Sequence, residues 1–236
     1  MNIVISQPMF LPWAGLFEQM RLADIFVHYD DVALPQGRSF MSRVQIKTDR
    51  GQEWLTVPLQ RASRHLIRDV LIDQTADWRR KHLAAYARWL RDAPFFAETE
   101  ALLTYIYSHE TDSLSSFNIN ALEKIAEYLN IKPRFVRSSG VGASGTSSEK
   151  ILNLTQYFGG TCYITGHGAK NYLDHERLEG ENIAVKYMDY TIKPYDQFHG
   201  AFTPYVTIID GIAHKGVEIV NHFASKTIDW KDFVHG

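Results

Sequence analysis

The segment QPMFLPWAGLF, residues 7–17, gathers Gln7, Phe10 and Trp13 among Pro8, Pro12 and Gly15. These residue types recognise a guest rather than break its bonds. The two prolines fix φ and lower the entropy lost when the loop is ordered. Phe10 and Trp13 offer flat apolar walls for a ring, and Gln7 offers an amide with two donors and an acceptor. Gly15 allows a ligand or a neighbouring backbone to come close. The same residues could instead form a hydrophobic staple and lid over a sheet end.

A second group of candidates is acidic. Asp30 and Asp31 follow the apolar run IFVHY. Adjacent strand residues point to opposite faces, so the two do not read as an acid/base dyad. One is expected to cap or to pair with Arg43 or Lys47 while the other faces a cleft. The run SSGVGASGTSS, residues 138–148, reads either as a surface loop or as a phosphate-cradling turn before a helix. It lacks the spacing of the common phosphate-binding glycine motifs. The C-terminal third interleaves Tyr163, Tyr172, Tyr187, Tyr190, Tyr195 and Tyr205 with Lys170, Gln197 and Asp210. Polar tips on aromatic bodies suit a sugar or a nucleotide, and equally a half-wet sheet edge. The ten histidines show no zinc-binding spacing, and no GxSxG nucleophile elbow occurs. No metal site is expected.

The elements that must position these residues follow from hydrophobic periodicity. Ile3, Val4 and Ile5 form an apolar run of the kind found in buried parallel strands, GLFEQMRLAD is helical, and IFVH is a second strand. That order opens a βαβ unit. SRVQIKT and EWLTVPL, joined by DRGQ, predict a hairpin, and DVLIDQ a further strand. From about residue 75 to 130 the pattern turns helical, with Asp112 or Ser113 able to cap the third helix. RFVR, TCYITG and IAVKYMDY read as strands and EKILNLTQYFG as a helix. The expected fold is α/β: a mostly parallel sheet with flanking helices, in a single domain spanning 1–236 with a helical insertion.

With 236 residues, 45% hydrophobic and 22% charged, the chain is ordinary for a globular protein. A net charge of −2 gives no global electrostatic case for a nucleic acid or a membrane surface. The basic residues Arg61, Arg64, Arg68, Arg79, Arg80 and Lys81 are interleaved with acids, as on a solvated face. One cysteine, Cys162, excludes an intramolecular disulfide and suits a reducing compartment. Without a signal peptide or a membrane-length apolar run, a cytoplasmic location is expected. Trp78, Trp89 and Phe95 could pack a homodimer or a core.

QPMFLPWAGLFEQM, ADIFVHYDDV, SRVQIK, WLTVPL, CYITGHGAKNYL and YDQFHGAFTPYVTIIDG together resemble the WbqC-like protein family, in order from residue 3 to about 216. On that resemblance Gln7, Pro8, Phe10, Pro12, Trp13, Gly15, Asp30, Arg43, Lys47, Gly166, Lys170, Tyr172, Tyr195, Gln197, Phe202, Pro204 and Asp210 carry over as site residues. At HKG, residues 214–216, the chain departs from the asparagine usual in relatives, so His214 is not carried over. The resemblance implies a part in making surface polysaccharide such as O-antigen. The implied reaction is N-acyl or N-aminoacyl (for instance glycyl) transfer to a nucleotide-linked amino sugar. Acetyl-CoA, formyl-tetrahydrofolate, or ATP with an amino acid would supply the acyl group. In that reading Trp13 and Phe10 stack a ring, Gln7 orients it, and Lys170 and Arg43 meet the diphosphate. Asp30 or Asp210 takes the amine proton, and Tyr195 or Gln197 steadies the oxyanion. The strand–PxxGxF–helix–strand start is also similar to nucleotidylyltransferase-like folds, whose histidine is replaced here by Leu16. The alternatives are a non-catalytic nucleotide-sugar binding module or a ligase of that type using ATP.

Overall fold

Ile3, Val4 and Ile5 are all buried in β1 (Asn2–Ser6), because both faces of this strand are covered. β1 pairs in parallel with β2 (Ile25–His28) on one side, Ile3 opposite Ile25, and with β6 (Cys162–Thr165) on the other, Ile3 opposite Tyr163. β5 (Arg134–Arg137) extends the sheet parallel to β2, and β7 (Ala184–Asp189) extends it parallel to β6. Antiparallel β8 (Lys226–Asp229) closes that edge. The resulting order is β5-β2-β1-β6-β7-β8, so chain progression reverses between β1 and β6. This computed structural model describes residues 1–35, 37, 39–60 and 65–235, which leaves Arg61 and Arg64 outside the described residues.

Side chains alternate across the sheet as a period of two demands. Val4, Phe26, Ile164 and Met188 face one core with α1 (Ala14–Arg21), α4 (Leu114–Tyr128) and α7 (Ile208–Lys215). Ile3, Ile25, Val27, Tyr163 and Val185 face the other with α5 (Ser147–Tyr157), α6 (His175–Gly180) and α8 (Trp230–His235).

Between β2 and β5 the chain builds the hairpin of β3 (Arg43–Thr48) and β4 (Gly51–Thr56). It then forms α2 (Trp78–Leu90), α3 (Phe96–Tyr107) and α4. The Ser113 hydroxyl accepts from the Ser116 amide at 3.2 Å and caps α4. DVLIDQ is not a strand: Ile67–Asp69 form a 3-10 turn, followed only by single bridges from Leu71 to Ser113 and Ile72 to Leu59. Its apolar residues Val70 and Ile72, with Ile67 just before them, instead plug the core beneath α4. Trp78 is core as well, ringed by His82, Tyr107 and Phe117. Trp89 packs on His199 and Phe95 against Gly216, so the three rings form no common exposed patch. Arg68 meets Asp69 and Arg80 meets Asp77, the solvated pairing that their interleaving predicts. No helix among the described residues is long and apolar enough to cross a membrane.

Candidate functional site

Where the strand order reverses, the loops leaving β1 and β6 run to opposite faces and a crevice opens beyond their carboxyl ends. Here it measures about 460 Å³, inside the ~300–1,000 Å³ usual for small-molecule sites. Gln7 and Met9 of the first loop form one side with Trp13, Leu16 and Gln19 around α1. Tyr29 and Val32 follow β2, Thr165 ends β6 with Gly166 and Tyr172 after it, and Tyr190 follows β7. Ser147, the first residue of α5, closes the rim.

Two glycines build the central wall. The Trp13 indole folds back over the first turn of α1, and a Cβ on Gly15 would lie 2.2 Å from its ring. A Cβ on Gly166 would lie 2.8 Å from the Tyr190 hydroxyl. With both positions bare, Trp13 and Tyr190 meet edge to face at 4.7 Å. Gly15 therefore makes room for Trp13 itself rather than for a guest.

The crevice offers neutral polar groups. Gln19 Nε2 donates to the Ile164 carbonyl at 3.3 Å, and Tyr163 donates to Thr165 Oγ1 at 3.2 Å. Burial pushes the Tyr29, Tyr172 and Tyr190 phenols up, with Asp31 adding to the first and Glu18 to the last. All three stay protonated as donors near neutral pH.

Behind Tyr29 stands a buried polar brace. Lys150 of α5 pairs with Asp31 at 2.6 Å and lies 5.5 Å from the Tyr29 ring. Burial opposes the Asp31 charge, but Lys150 and the Ser138 hydroxyl outweigh it and hold the carboxyl below its ordinary range. Asp30 accepts from Ser138 Oγ, Ser139 N and Ser139 Oγ at 3.1, 3.0 and 2.8 Å. One aspartate is expected to cap or to pair with Arg43 or Lys47 while its neighbour faces a cleft. Asp30 does take a backbone amide, that of Ser139 in the Ser138–Gly140 turn, but the cation is Lys150 on Asp31, and the pairing with Arg43 or Lys47 is corrected. β2 ends at His28, so strand alternation no longer governs the pair, and both carboxylates turn to Ser138.

Asp210, Tyr195, Gln197 and Lys47 are brought together, but in a separate buried network. Tyr195 OH and Gln197 Nε2 donate to Asp210 Oδ1 at 2.9 and 2.8 Å. Lys47 Nζ donates to Gln197 Oε1, Gly200 O and Ala201 O at 3.0, 2.9 and 2.6 Å. His214 Nδ1 donates to the Asp210 carbonyl at 2.8 Å, while Nε2 accepts from the Phe198 amide at 3.3 Å, which fixes the neutral tautomer. Burial, then Asp210, pushes the Tyr195 phenol far up, and burial pulls Lys47 down against the pull of Asp210. The space beside Lys47 and Asp210 is about 10 Å³, too little for more than one water. Phe202 packs on Tyr195 at 5.1 Å. This cluster locks the 195–203 loop onto α7 and the hairpin.

The remaining candidates divide. Phe10 is wholly buried against His82 and Phe117 and lies at the floor of a second hollow, not on the crevice wall. Lys170 is exposed and donates to the Val234 carbonyl at 3.2 Å, on the α8 side. Pro12 and Arg43 also line the second hollow, of about 530 Å³, which shares Trp13, Gly166 and Tyr190 with the crevice. His167, absent from the sequence-derived candidates, lines that hollow too. Its position in TGHG directly after a sheet strand was the available signal. Its Nε2 lies 2.7 Å from the Met188 carbonyl; a carbonyl only accepts, so Nε2 carries the hydrogen and Nδ1 keeps a lone pair.

A family model described as the WbqC-like protein family matches residues 7–222. The chain is 34% identical over 221 residues to the uncharacterized protein Rv1507c of Mycobacterium tuberculosis, an alignment covering 92% of this chain and 95% of that one. No solved structure matches it. Both blocks that build the crevice, the first loop and the turn after β6, fall within the matched region, and the chain belongs to the WbqC-like protein family.

Proposed function

We propose that this protein takes a nucleotide-linked amino sugar into the crevice and acylates or aminoacylates its amine, a finishing step for a surface polysaccharide such as O-antigen. The observation that carries the reading is the crevice itself. It lies at the strand-order reversal, its walls are Trp13 and Tyr190, and Gln7, Gln19 and Tyr29 supply polar edges. At the start of α5 the amides of Ser147 and Ser148 would meet a diphosphate, the Glu149 amide being taken by the Thr146 carbonyl at 3.2 Å.

In the transfer the amine nitrogen forms a bond to the acyl carbon, and the bond from that carbon to the leaving group breaks with its electron pair. The amine proton passes to Nδ1 of His167, which lines the adjoining hollow; this ring nitrogen keeps its lone pair while Nε2 donates to the Met188 carbonyl. Negative charge developing on the acyl oxygen is met by the Tyr190 phenol, which burial keeps protonated.

The test is thermal shift with dTDP- and UDP-linked amino sugars, followed by mass analysis of the sugar after incubation with each acyl donor. A nucleotide sugar at a hundred times its Kd should add about 2.7 kcal/mol of stability, and one donor should increase the sugar's mass. No stabilisation by any nucleotide sugar would overturn the proposal. A second reading, a binding module without turnover, draws support from the described crevice lining, which contains no Asp or Glu. Binding without any mass change under all donors would favour it.

A further inference from the structure

We infer that the second hollow, between the first loop and the β3–β4 hairpin, is the donor subsite, and that it takes the planar heteroaromatic ring of an acyl donor, an adenine or a pterin. The inference rests on the proposed acyl transfer.

Its first support is where the protein leaves large apolar rings in water. Phe40, Trp54 and Tyr205 are 60%, 37% and 67% exposed, and all three line this hollow. Clustered exposure of this kind costs solvation and marks a site that something covers. The second support is flatness. Residues two apart share a strand face, so Arg43 and Gln45 of β3 stand on the same face as Trp54 and Gln52 of β4, with Gln45 directly opposite Trp54. The Arg43 guanidinium lies 3.5 Å from the Trp54 ring centroid and holds the indole as a platform. Gln45 and Gln52 flank it with amides suited to the edge of a heterocycle, Gln52 with its Oε1, since its Nε2 donates to Thr203 Oγ1 at 3.0 Å.

The third support is charge. Acetyl-CoA and ATP carry phosphates and formyl-tetrahydrofolate carries glutamate carboxylates, so each joins a planar ring to an anion that Arg43 would meet. A lipid tail or an apolar protein segment would use neither the amides nor the cation. Last, the hollow and the crevice meet at Trp13, Gly166 and Tyr190, beside His167. A donor stacked on Trp54 therefore delivers its acyl group where the sugar amine would lie.

The experiment is titration calorimetry on the full chain with ATP, acetyl-CoA and 5-formyltetrahydrofolate, with ribose 5-phosphate as a ring-free control. A dTDP-linked amino sugar is titrated in parallel. One ring-bearing compound should bind and ribose 5-phosphate should not; which one binds identifies adenine or pterin. Trp54→Ala should weaken that compound about 5- to 150-fold, Trp54→Phe should keep most of the affinity, and neither should change the amino-sugar affinity. Circular dichroism establishes that both variants fold. Binding of the nucleotide sugar with none of the three ring compounds would overturn this inference and leave the crevice reading standing. Equal loss of the nucleotide sugar in Trp54→Ala would also overturn it, because the hollow would then hold the sugar nucleotide's own base. Trp54-dependent binding of a ring compound without any nucleotide-sugar binding would keep the subsite and remove the proposed acceptor. If nothing binds, both fall.

Discussion

Glu18 of α1 is fully buried, and neither of its oxygens meets a donor at hydrogen-bond geometry. Burial pushes its carboxyl from 4.5 to about 7, against weaker opposing pulls from the Ser225 and Thr191 backbone and Arg21. Below its unfolded value the group is protonated in both states, and folding buries no charge there. Above about 7 it is ionised in both, and the folded state bears the whole cost of a buried charge. Stability should therefore fall as pH rises from 4.5 to 7. At about 1.36 kcal/mol per pKa unit the loss is roughly 3 kcal/mol. Glu18→Gln keeps the shape and removes the titration. Urea unfolding of both proteins should show their stability gap widening by roughly 3 kcal/mol between about pH 4 and pH 8, other titrations cancelling in the difference. A gap that stays constant would refute the argument that this carboxyl is buried without compensation.

Gly15→Ala sets a Cβ 2.2 Å from the Trp13 ring and must swing the indole off the wall. It should cost nucleotide-sugar affinity of the order of one stacking contact, about 1–3 kcal/mol, and shift tryptophan emission. Tyr195→Phe and Gln197→Ala each remove a donor from buried Asp210, so each should cost about 1–3 kcal/mol in urea unfolding and leave sugar affinity unchanged. The reverse pattern would return these residues to a catalytic role. Lys150→Met leaves Asp31 buried without its cation and should destabilise by about 3 kcal/mol at neutral pH. Because the native pair holds the Asp31 carboxyl low, that destabilisation should shrink as acid protonates Asp31, which a pH series of melts would record.

The centre of the sheet was legible because β1 and β2 carry apolar runs and the βαβ start is ordered as the fold requires: Ile3–Ile5, then a helix, then Ile25–His28. The edge strand β8, KTID, has no such run and was not legible. The hairpin was legible from its alternation across DRGQ. The strand expected at DVLIDQ failed because apolar residues with extended spacing can fill a core without a neighbouring ladder, as Val70 and Ile72 do. The ring content of the first loop is plain in the sequence, yet which ring faces outward is a tertiary matter: Trp13 lines the crevice while Phe10 is buried under α4, at the floor of the second hollow. The aspartate at 210 and its donors form a dense polar cluster of the kind that also serves catalysis. Only distance from the crevice and the absence of space beside Lys47 separate the two uses. Conversely, His167 stood in plain view between two glycines. Its tautomer depends on the Met188 carbonyl of a different strand, which spacing does not reveal.

A crystal structure of the protein with a nucleotide-linked amino sugar would show where the guest binds. The sugar nucleotide should lie between the ends of β1 and β6, against Trp13 and Tyr190, its diphosphate at the start of α5 and its amine toward His167. Density for it anywhere else, with the crevice left to solvent, would rule out the crevice as the acceptor site.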